Sequence, residues 1–220
     1  MIWQSLQLSL LVVAVSTLIV AVVGLALAYL LAKARFRGKE LLDALLTVPL
    51  VLPPTVTGYY LIVLLGRRGL IGSYIYDISG WSFSFTWQGA VVAAVVVSLP
   101  LMIKASRAAL ESVDRRYEIA SYTLGKGRAE TFALVLLPLA KRGVLAGVVL
   151  SFARALGEFG ATLMIAGNIP GQTQTMPLAI YEAVAAGEDE NAKLLAIVLT
   201  TVSIAAIYAT NRLSGSRYYG

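Results

Sequence analysis

The stretch that decides the fold is residues 8–32, which read LSLLVVAVSTLIVAVVGLALAYLLA and include no charged side chain. A helix needs about 20 consecutive apolar residues to cross the hydrocarbon core of a bilayer. The hydroxyl groups of Ser9, Ser16 and Thr17 can donate to carbonyls of their own helix. We therefore interpret this stretch as a membrane-spanning helix. The seven residues before it lack a basic side chain, so we expect it to stay in the mature protein rather than to be cleaved as a signal peptide.

The composition of the whole chain agrees with a membrane protein. Of 220 residues, 58% are hydrophobic and 14% are charged, and the mean hydropathy is +0.78. A soluble domain carries about a quarter charged residues. The chain has no cysteine and no histidine, which excludes a disulfide framework and a thiolate metal site and removes the commonest general base. We expect no metal site and no cofactor on this chain.

Four further stretches are apolar enough to cross a membrane, namely residues 41–65, 89–106, 145–166 and 194–211. Pro49, Pro53 and Pro54 interrupt the first of these, and a polar segment at about residues 107–142 separates the third span of the chain from the fourth. The sequence thus predicts an all-α membrane protein with five transmembrane helices. It predicts a single transmembrane domain over residues 1–220.

The basic residues predict the orientation, because lysine and arginine concentrate in cytoplasmic loops. Five crossings with the N-terminus outside and the C-terminus in the cytoplasm place 14 of the 18 basic residues on the cytoplasmic side. These are Lys33, Arg35, Arg37, Lys39, Lys104, Arg107, Arg115, Arg116, Lys126, Arg128, Lys141, Arg142, Arg212 and Arg217. The opposite side receives Arg67, Arg68 and Lys193 and the acidic run at residues 188–190.

The polar segment contains a short stretch, residues 117–125, that predicts a helix ending at a glycine. Ala120, Ser121 and Leu124 form one helical face, and Gly125 is a typical helix stop. The stretch lies among basic residues. Its residues alone leave two interpretations open, which are an interfacial helix held by anionic lipid and a docking helix for a partner protein.

The spacing of this segment resembles the coupling loop of binding-protein-dependent ABC importers, whose pattern is Glu-Ala-Ala, three residues, Gly, nine residues and Ile-x-Leu-Pro. The matching positions are Ile119, Ala120, Ser121, Gly125, Val135, Leu137 and Pro138. The likeness favours the docking helix. One position departs from the pattern, because Ile119 stands where the family has glutamate, and Glu118 lies one place earlier.

This resemblance implies the type I ABC importer permease fold with a cytoplasmic coupling helix, in the cytoplasmic membrane of a prokaryote. It implies that the chain works as a homodimer with ABC ATPase subunits, which bind ATP and Mg, and with a periplasmic or lipid-anchored oxyanion-binding protein. The chain has no Walker-type Gly-x-x-x-x-Gly-Lys-Ser/Thr sequence, so we expect a transport subunit rather than an enzyme. The implied ATPase-coupling residues are Glu118, Ile119, Ala120, Ser121, Leu124 and Gly125.

Other segments resemble the molybdate permease subunits of this family. They are residues 49–59 (PLVLPPTVTGY), 66–69 (GRRG), 156–162 (LGEFGAT) and 168–171 (NIPG), and the likeness extends over about residues 8–213. The expected cargo is molybdate, with sulfate, tungstate or another oxyanion as the alternative. A membrane-embedded enzyme and an ion-driven secondary transporter are rival classes. The first lacks suitable catalytic residues, and the second would show inverted repeats and further intramembrane acids.

Six residues in two of the predicted spans are candidates for the substrate pathway. Arg154 and Glu158 lie one helical turn apart in the fourth span, where burying an unpaired charge in the bilayer costs at least about 3 kcal/mol. They are either an ion pair that stabilises the bundle or a source of positive potential for an oxyanion. Pro53 and Pro54 bend the second span, either to pack the bundle or to expose Thr55 and Thr57 to a passage.

Arg67 and Arg68 lie on the predicted external side. Arginines at a membrane edge commonly extend to the interface without a partner. The alternative is that this pair docks an acidic surface of the cargo-binding protein. No nucleic acid is expected as a partner, since the basic residues are explained by membrane orientation.

Overall fold

A computed structural model describes residues 2–213. Met1 and residues 214–220 lie outside the described part of the chain, and so does Arg217, one of the predicted cytoplasmic basic residues. Every regular element in this part of the chain is a helix. The helices are α1 (Ile2–Lys33), α2 (Lys39–Val51), α3 (Pro54–Leu65), α4 (Gly72–Ser79), α5 (Trp87–Glu111), α6 (Arg115–Thr123), α7 (Arg128–Thr131), α8 (Leu137–Leu156), α9 (Gly160–Ala166), α10 (Met176–Ala185) and α11 (Asp189–Leu213). A π-helical segment, Phe132–Leu136, joins α7 to α8.

Helices α1, α5 and α8 form the centre of the bundle. Val12 and Ala94 lie in one buried cluster, and Ala28 and Leu110 lie in another, so α1 and α5 run in the same direction. Small residues allow close approach, as a Cβ on Gly143 of α8 would lie 2.4 Å from the Cβ of Ala109 of α5. The bundle is therefore held by tightly fitted helices, as is common where lipid surrounds the protein.

The second predicted span is two helices rather than one. Helices α2 and α3 meet at an angle of 118° across the break at Leu52 and Pro53. Pro53 cannot donate a backbone hydrogen bond, and Pro54 occupies the first position of α3, where no donor is needed. The proline pair thus produces the predicted bend. Among residues 2–213, four other helical stretches are long and apolar enough to cross a membrane, and counting the bent pair as one span makes five.

The fourth predicted span differs most from expectation. Its helix begins at Arg128, not near residue 145, and it ends at Leu156 instead of continuing to residue 166. Pro138 does not interrupt this helix, because the π-helical segment just before it shifts the hydrogen bonding to i→i−5, and the amide of Leu137 donates to the carbonyl of Phe132. Only about residues 112–127 of the predicted polar segment lie between the long helices.

Basic side chains and their acidic partners lie at the end of the bundle formed by the end of α1, the start of α2 and α6, which we call the basic end. Lys33 at the end of α1 contacts Glu118 of α6, and Lys104 of α5 contacts Asp43 of α2 at 2.8 Å. At the opposite end, the residues between α9 and α10 pack against the start of α1. The bundle therefore has two chemically different ends.

Candidate functional site

Helix α6 at the basic end has a defined start and stop. The Asp114 carboxylate accepts a hydrogen bond from the backbone amide of Arg116 at 2.9 Å, which caps the first turn. After the last turn, Gly125 has a φ of +78°, and its amide donates to the carbonyl of Tyr122 at 2.9 Å. The amide of Lys126 donates to the carbonyl of Ser121 at 3.2 Å. A left-handed residue with these bonds is a common helix terminus, which confirms the predicted stop.

Two polar side chains of α6, those of Glu118 and Ser121, contact the bundle. Glu118 Oε2 lies 2.7 Å from Lys33 Nζ of α1, and Glu118 Oε1 accepts from the hydroxyl of Tyr122 at 3.2 Å. Burial, and then the nearby Glu118 carboxylate, raises the pKa of the Tyr122 phenol, so it remains a neutral donor. The Ser121 hydroxyl lies 2.9 Å from that of Thr131 in a buried contact with α7. These contacts attach α6 to the bundle.

Apolar side chains occupy the outward face of α6. Ile119 is 50% exposed and Leu124 is 80% exposed, and Ala120 and Gly125 are also exposed. The six residues singled out from the sequence therefore divide into two groups, with Glu118 and Ser121 turned inward and the other four turned outward. An exposed apolar patch on a short helix between two long ones is typical of a surface that another protein covers.

A second notable region is the contact between two breaks in the bundle, which we call the junction. Here α3 packs against α9, and a Cβ on Gly58 would lie 2.7 Å from Met164 Cβ and 2.8 Å from Ala161 Cα. A Cβ on Gly160 would lie 3.0 Å from Pro54 Cβ. The interruption of the second predicted span thus contacts the interruption of the fourth. Backbone that leaves a helix at membrane depth is tolerated where protein covers it or where it lines a cavity.

Arg154 and Glu158 form the ion pair that their spacing predicts. Arg154 Nη1 lies 2.8 Å from Glu158 Oε2, and the side chains are 27% and 2% exposed respectively. The two residues do not share a helix, however, because α8 ends at Leu156 and Glu158 lies in the break before α9. The other carboxylate oxygen accepts from the amide of Ala161 at 2.8 Å, so Glu158 caps α9. Gly157 is the C-terminal cap of α8, with a φ of −90° and a ψ of 13°.

The remaining pathway candidates lie on α3 or at its start. Pro53 and Thr55 are exposed, Pro54 is half-buried, and Thr57 is buried with a hydroxyl oxygen that has no hydrogen-bond partner among the described residues. Pro54 and Thr55 touch Gly160, so the structure brings the candidates of the second span to the segment that follows Glu158.

The candidate docking arginines lie in the turn between α3 and α4, and both are exposed. Arg67 donates a hydrogen bond to the hydroxyl of Tyr76 in α4, and its guanidinium carbon lies 4.1 Å from the centre of that ring. Arg67 therefore has a local partner. Arg68 has no hydrogen bond or ion pair with residues 2–213.

Sequence reasoning missed a polar network at the end opposite the basic end. Glu182 of α10 accepts hydrogen bonds from the side-chain amides of Asn168 and Gln174, and Ser5 of α1 donates to the Gln174 oxygen at 3.3 Å. The Ser9 hydroxyl accepts from the amide of Met176 at 2.7 Å. A single acidic residue in the apolar stretch of α10 was the one available signal.

Three comparisons identify what the chain is similar to. The sequence profile of the family described as "Binding-protein-dependent transport system inner membrane component" matches residues 21–214. The molybdenum transport system permease protein ModB of Escherichia coli K12 is 47% identical over 219 residues, covering 98% of this chain and 96% of that protein. The sulfate transport system permease protein CysT of Salmonella typhimurium is 35% identical over 209 residues, which cover 94% of this chain and 74% of that protein.

Solved structures show the same fold at low sequence identity. The inward-facing MetNI methionine ABC transporter aligns with a TM-score of 0.75 at 17% identity, covering 98% of this chain and 93% of that one. A bacterial ABC transporter involved in the import of the acidic polysaccharide alginate aligns with a TM-score of 0.80 at 13% identity, covering 98% of this chain and 79% of that one. These likenesses confirm the all-α type I importer permease fold.

Proposed function

Because the chain belongs to the family of binding-protein-dependent transport system inner membrane components, we propose that it is the permease subunit of an ATP-driven importer of molybdate. The observation that carries this proposal is the 47% identity to a molybdenum permease over nearly the whole of both chains. The sulfate permease is 35% identical and is covered over 74% of its length. Sulfate, tungstate or another oxyanion is therefore the second candidate cargo.

The proposed energy source lies on separate ATPase subunits, which bind ATP and Mg and dock on α6. Two features support this docking. The outward face of α6 presents Ile119 and Leu124 to solvent, and its inward face is held by Glu118 and Ser121. A helix that is attached to the bundle on one face and presents apolar side chains on the other can transmit a movement of the ATPase subunit to the bundle. The chain itself is a transport subunit and not an enzyme.

The proposed orientation places the basic end in the cytoplasm and the N-terminus outside. It follows from the concentration of lysine and arginine at that end, which the anionic cytoplasmic leaflet and the insertion machinery favour. The exposed Arg67 and Arg68 then lie outside, where they are proposed to meet the oxyanion-binding protein. Since Arg67 already contacts Tyr76, Arg68 is the better placed of the two for an intermolecular contact.

The proposed mechanism is alternating access in a homodimer. ATP binding closes the ATPase subunits, their closure moves the two α6 helices together, and the dimer opens to the outside. The binding protein then releases molybdate into the space between the two copies, and ATP hydrolysis reopens the inner side. The junction is the proposed pathway element, since helix breaks and a partly exposed Arg154 occur there together.

Uptake of labelled molybdate tests this proposal. The chain is expressed with an ATPase and a binding protein from the same organism in cells that lack their own molybdate system. We expect uptake that requires ATP, persists in excess sulfate and falls when tungstate is added. Uptake of sulfate but not of molybdate would replace the cargo and leave the family unchanged. Uptake driven by a proton gradient without ATP would contradict the importer class.

A further inference from the structure

A large groove lies at the basic end between the last three turns of α1 on one side and α6 and α7 on the other. Its volume is about 1290 Å³. Its wall on α1 is apolar and includes Val22, Val23 and Leu30, all of which are exposed in the described chain. Its rim is formed by Lys33, Arg35 and Arg128. The groove thus combines an apolar wall with a cationic mouth.

The length of the apolar wall fits one leaflet of a bilayer. Val22 and Leu30 are eight residues apart, which corresponds to about 12 Å along a helix. Half of the hydrocarbon core measures about 15 Å. The wall therefore extends from near the membrane centre to the interface, where the cations begin. A small soluble anion would use the rim but leave this wall uncovered.

The charges of the rim are not balanced within the groove. Lys33 is paired with Glu118 at 2.7 Å, whereas Arg35 and Arg128 have no ion pair with any residue of 2–213. Both arginine side chains are exposed. Arginine binds phosphate oxygens through two parallel hydrogen bonds, and basic pockets beside transmembrane helices bind anionic lipid headgroups.

We propose that this groove binds one anionic phospholipid, whose phosphate contacts Arg35 and Arg128 and whose acyl chains lie along Val22, Val23 and Leu30. The apolar wall runs directly into the cationic rim, and this arrangement favours a lipid, because a phospholipid carries an anionic headgroup at the end of an apolar chain about as long as one leaflet. The lipid would connect α1 to α7 on the side where α6 is attached. The site is separate from the cargo pathway, so it stands whichever oxyanion is transported.

The test uses the full chain assembled with its ATPase in detergent, titrated with palmitoyl-oleoyl phosphatidylglycerol or with the phosphatidylcholine of the same chains. Bound lipid is counted by native mass spectrometry. We expect one tightly retained phosphatidylglycerol per chain and no comparable phosphatidylcholine. Arg35→Gln and Arg128→Gln should each weaken binding about fivefold, and the double variant about thirtyfold. Arg37→Gln is the matched control, since Arg37 lies in the same loop but outside the groove, and it should leave binding unchanged.

Four results would overturn the proposal. They are equal retention of the two lipids, wild-type affinity in the double variant, displacement of the lipid by glycerol phosphate, and coverage of the groove by a second copy of the chain. The last is measured with Val23→Cys, which introduces a single thiol because the chain has no cysteine. Efficient disulfide formation between two copies at this position in membranes would show that protein, not lipid, occupies the wall.

Discussion

The junction and α6 both depend on glycine, but for opposite reasons. At the junction, Gly58 and Gly160 lie where a Cβ would meet atoms of the neighbouring segment at 2.7 Å and 3.0 Å. Just after α6, Gly125 has nothing within 4 Å of the position of its missing Cβ, and glycine is favoured there by the φ of +78°. The junction therefore needs space between two backbones, whereas α6 needs a particular turn of one backbone.

Their polar groups differ in the same way. At the junction, both carboxylate oxygens of Glu158 have partners in the neighbouring residues of the same chain, namely the Arg154 guanidinium and the backbone amide of Ala161. In α6, Glu118 and Ser121 also have inward partners, but the outward apolar residues Ile119 and Leu124 have none. The carboxylate of Glu158 is thus satisfied by residues of its own chain, whereas the outward apolar residues of α6 have no contact that covers them among residues 2–213. Substitutions should accordingly affect stability at the junction and coupling at α6.

The largest loss of stability is expected for Gly58→Ala. The added methyl group would strike the Ala161 backbone, which cannot move aside easily, so we expect a loss of about 3 kcal/mol, at the upper end for overpacking. The measurement is the midpoint of thermal unfolding of the purified chain in detergent. Gly157→Ala is the control, because the nearest atom to its new Cβ would be the Ala153 oxygen at 3.9 Å. Equal midpoints for the two variants would contradict the close contact of α3 with α9.

A smaller loss is expected for Arg154→Met, which leaves the Glu158 carboxylate buried without its cation. Removing one partner of a fully buried pair costs about 3–5 kcal/mol, and partial exposure of Arg154 reduces the expected loss to about 2 kcal/mol. In Arg154→Met/Glu158→Gln, the glutamine oxygen can still accept from Ala161, so most of the unfolding midpoint should return.

The same double variant separates the two roles of the pair. If the pair only stabilises the bundle, the double variant takes up molybdate at the wild-type rate. If Arg154 acts on the anion, the double variant is stable but does not transport. Strict additivity of the two single losses in stability would contradict the ion pair itself.

Gly125→Val should affect coupling more than stability. A β-branched residue in the left-handed region costs about 1–2 kcal/mol, which the short α6 can relieve by distorting its end. We expect the unfolding midpoint of the whole chain to change little and ATP-dependent uptake to be lost while membrane insertion persists. Gly125→Asn is the control, because asparagine adopts this conformation more readily. Normal uptake in Gly125→Val would refute the docking role of α6.

The smallest effect is expected for Lys33→Gln, which removes one attachment of α6 to α1. Both side chains of the pair are partly exposed, so we expect a loss below about 1 kcal/mol. Backbone amides of Arg115–Thr123 should exchange hydrogen faster, and the exchanged pair Lys33→Glu/Glu118→Lys should slow them again. Unchanged exchange in the single variant would contradict a role of the Lys33–Glu118 ion pair in holding α6.

Much of this architecture was predictable because it depends on local composition. The charge-free residues 8–32, the proline pair at Pro53 and Pro54, and Gly125 each act through their own neighbours in the chain, and each produces the expected helix, break or stop. The start of the long helix at Arg128 was not predicted, since a π-helical segment before Pro138 carries the helix past the proline. The spacing that matches the family pattern also led to the family itself.

Sequence alone determined that the chain crosses a membrane, which end is basic, and where α6 and the main helix break lie, because hydropathy, charge and proline act over a few residues. Only the tertiary structure decided that Glu118 pairs with Lys33 across 85 residues and that Ser5 reaches Gln174 across 169. It also decided that the break at Pro54 meets Gly160. Sequence rules for side-chain pairs extend about four residues along a helix. Contacts between distant segments depend on how the whole bundle packs.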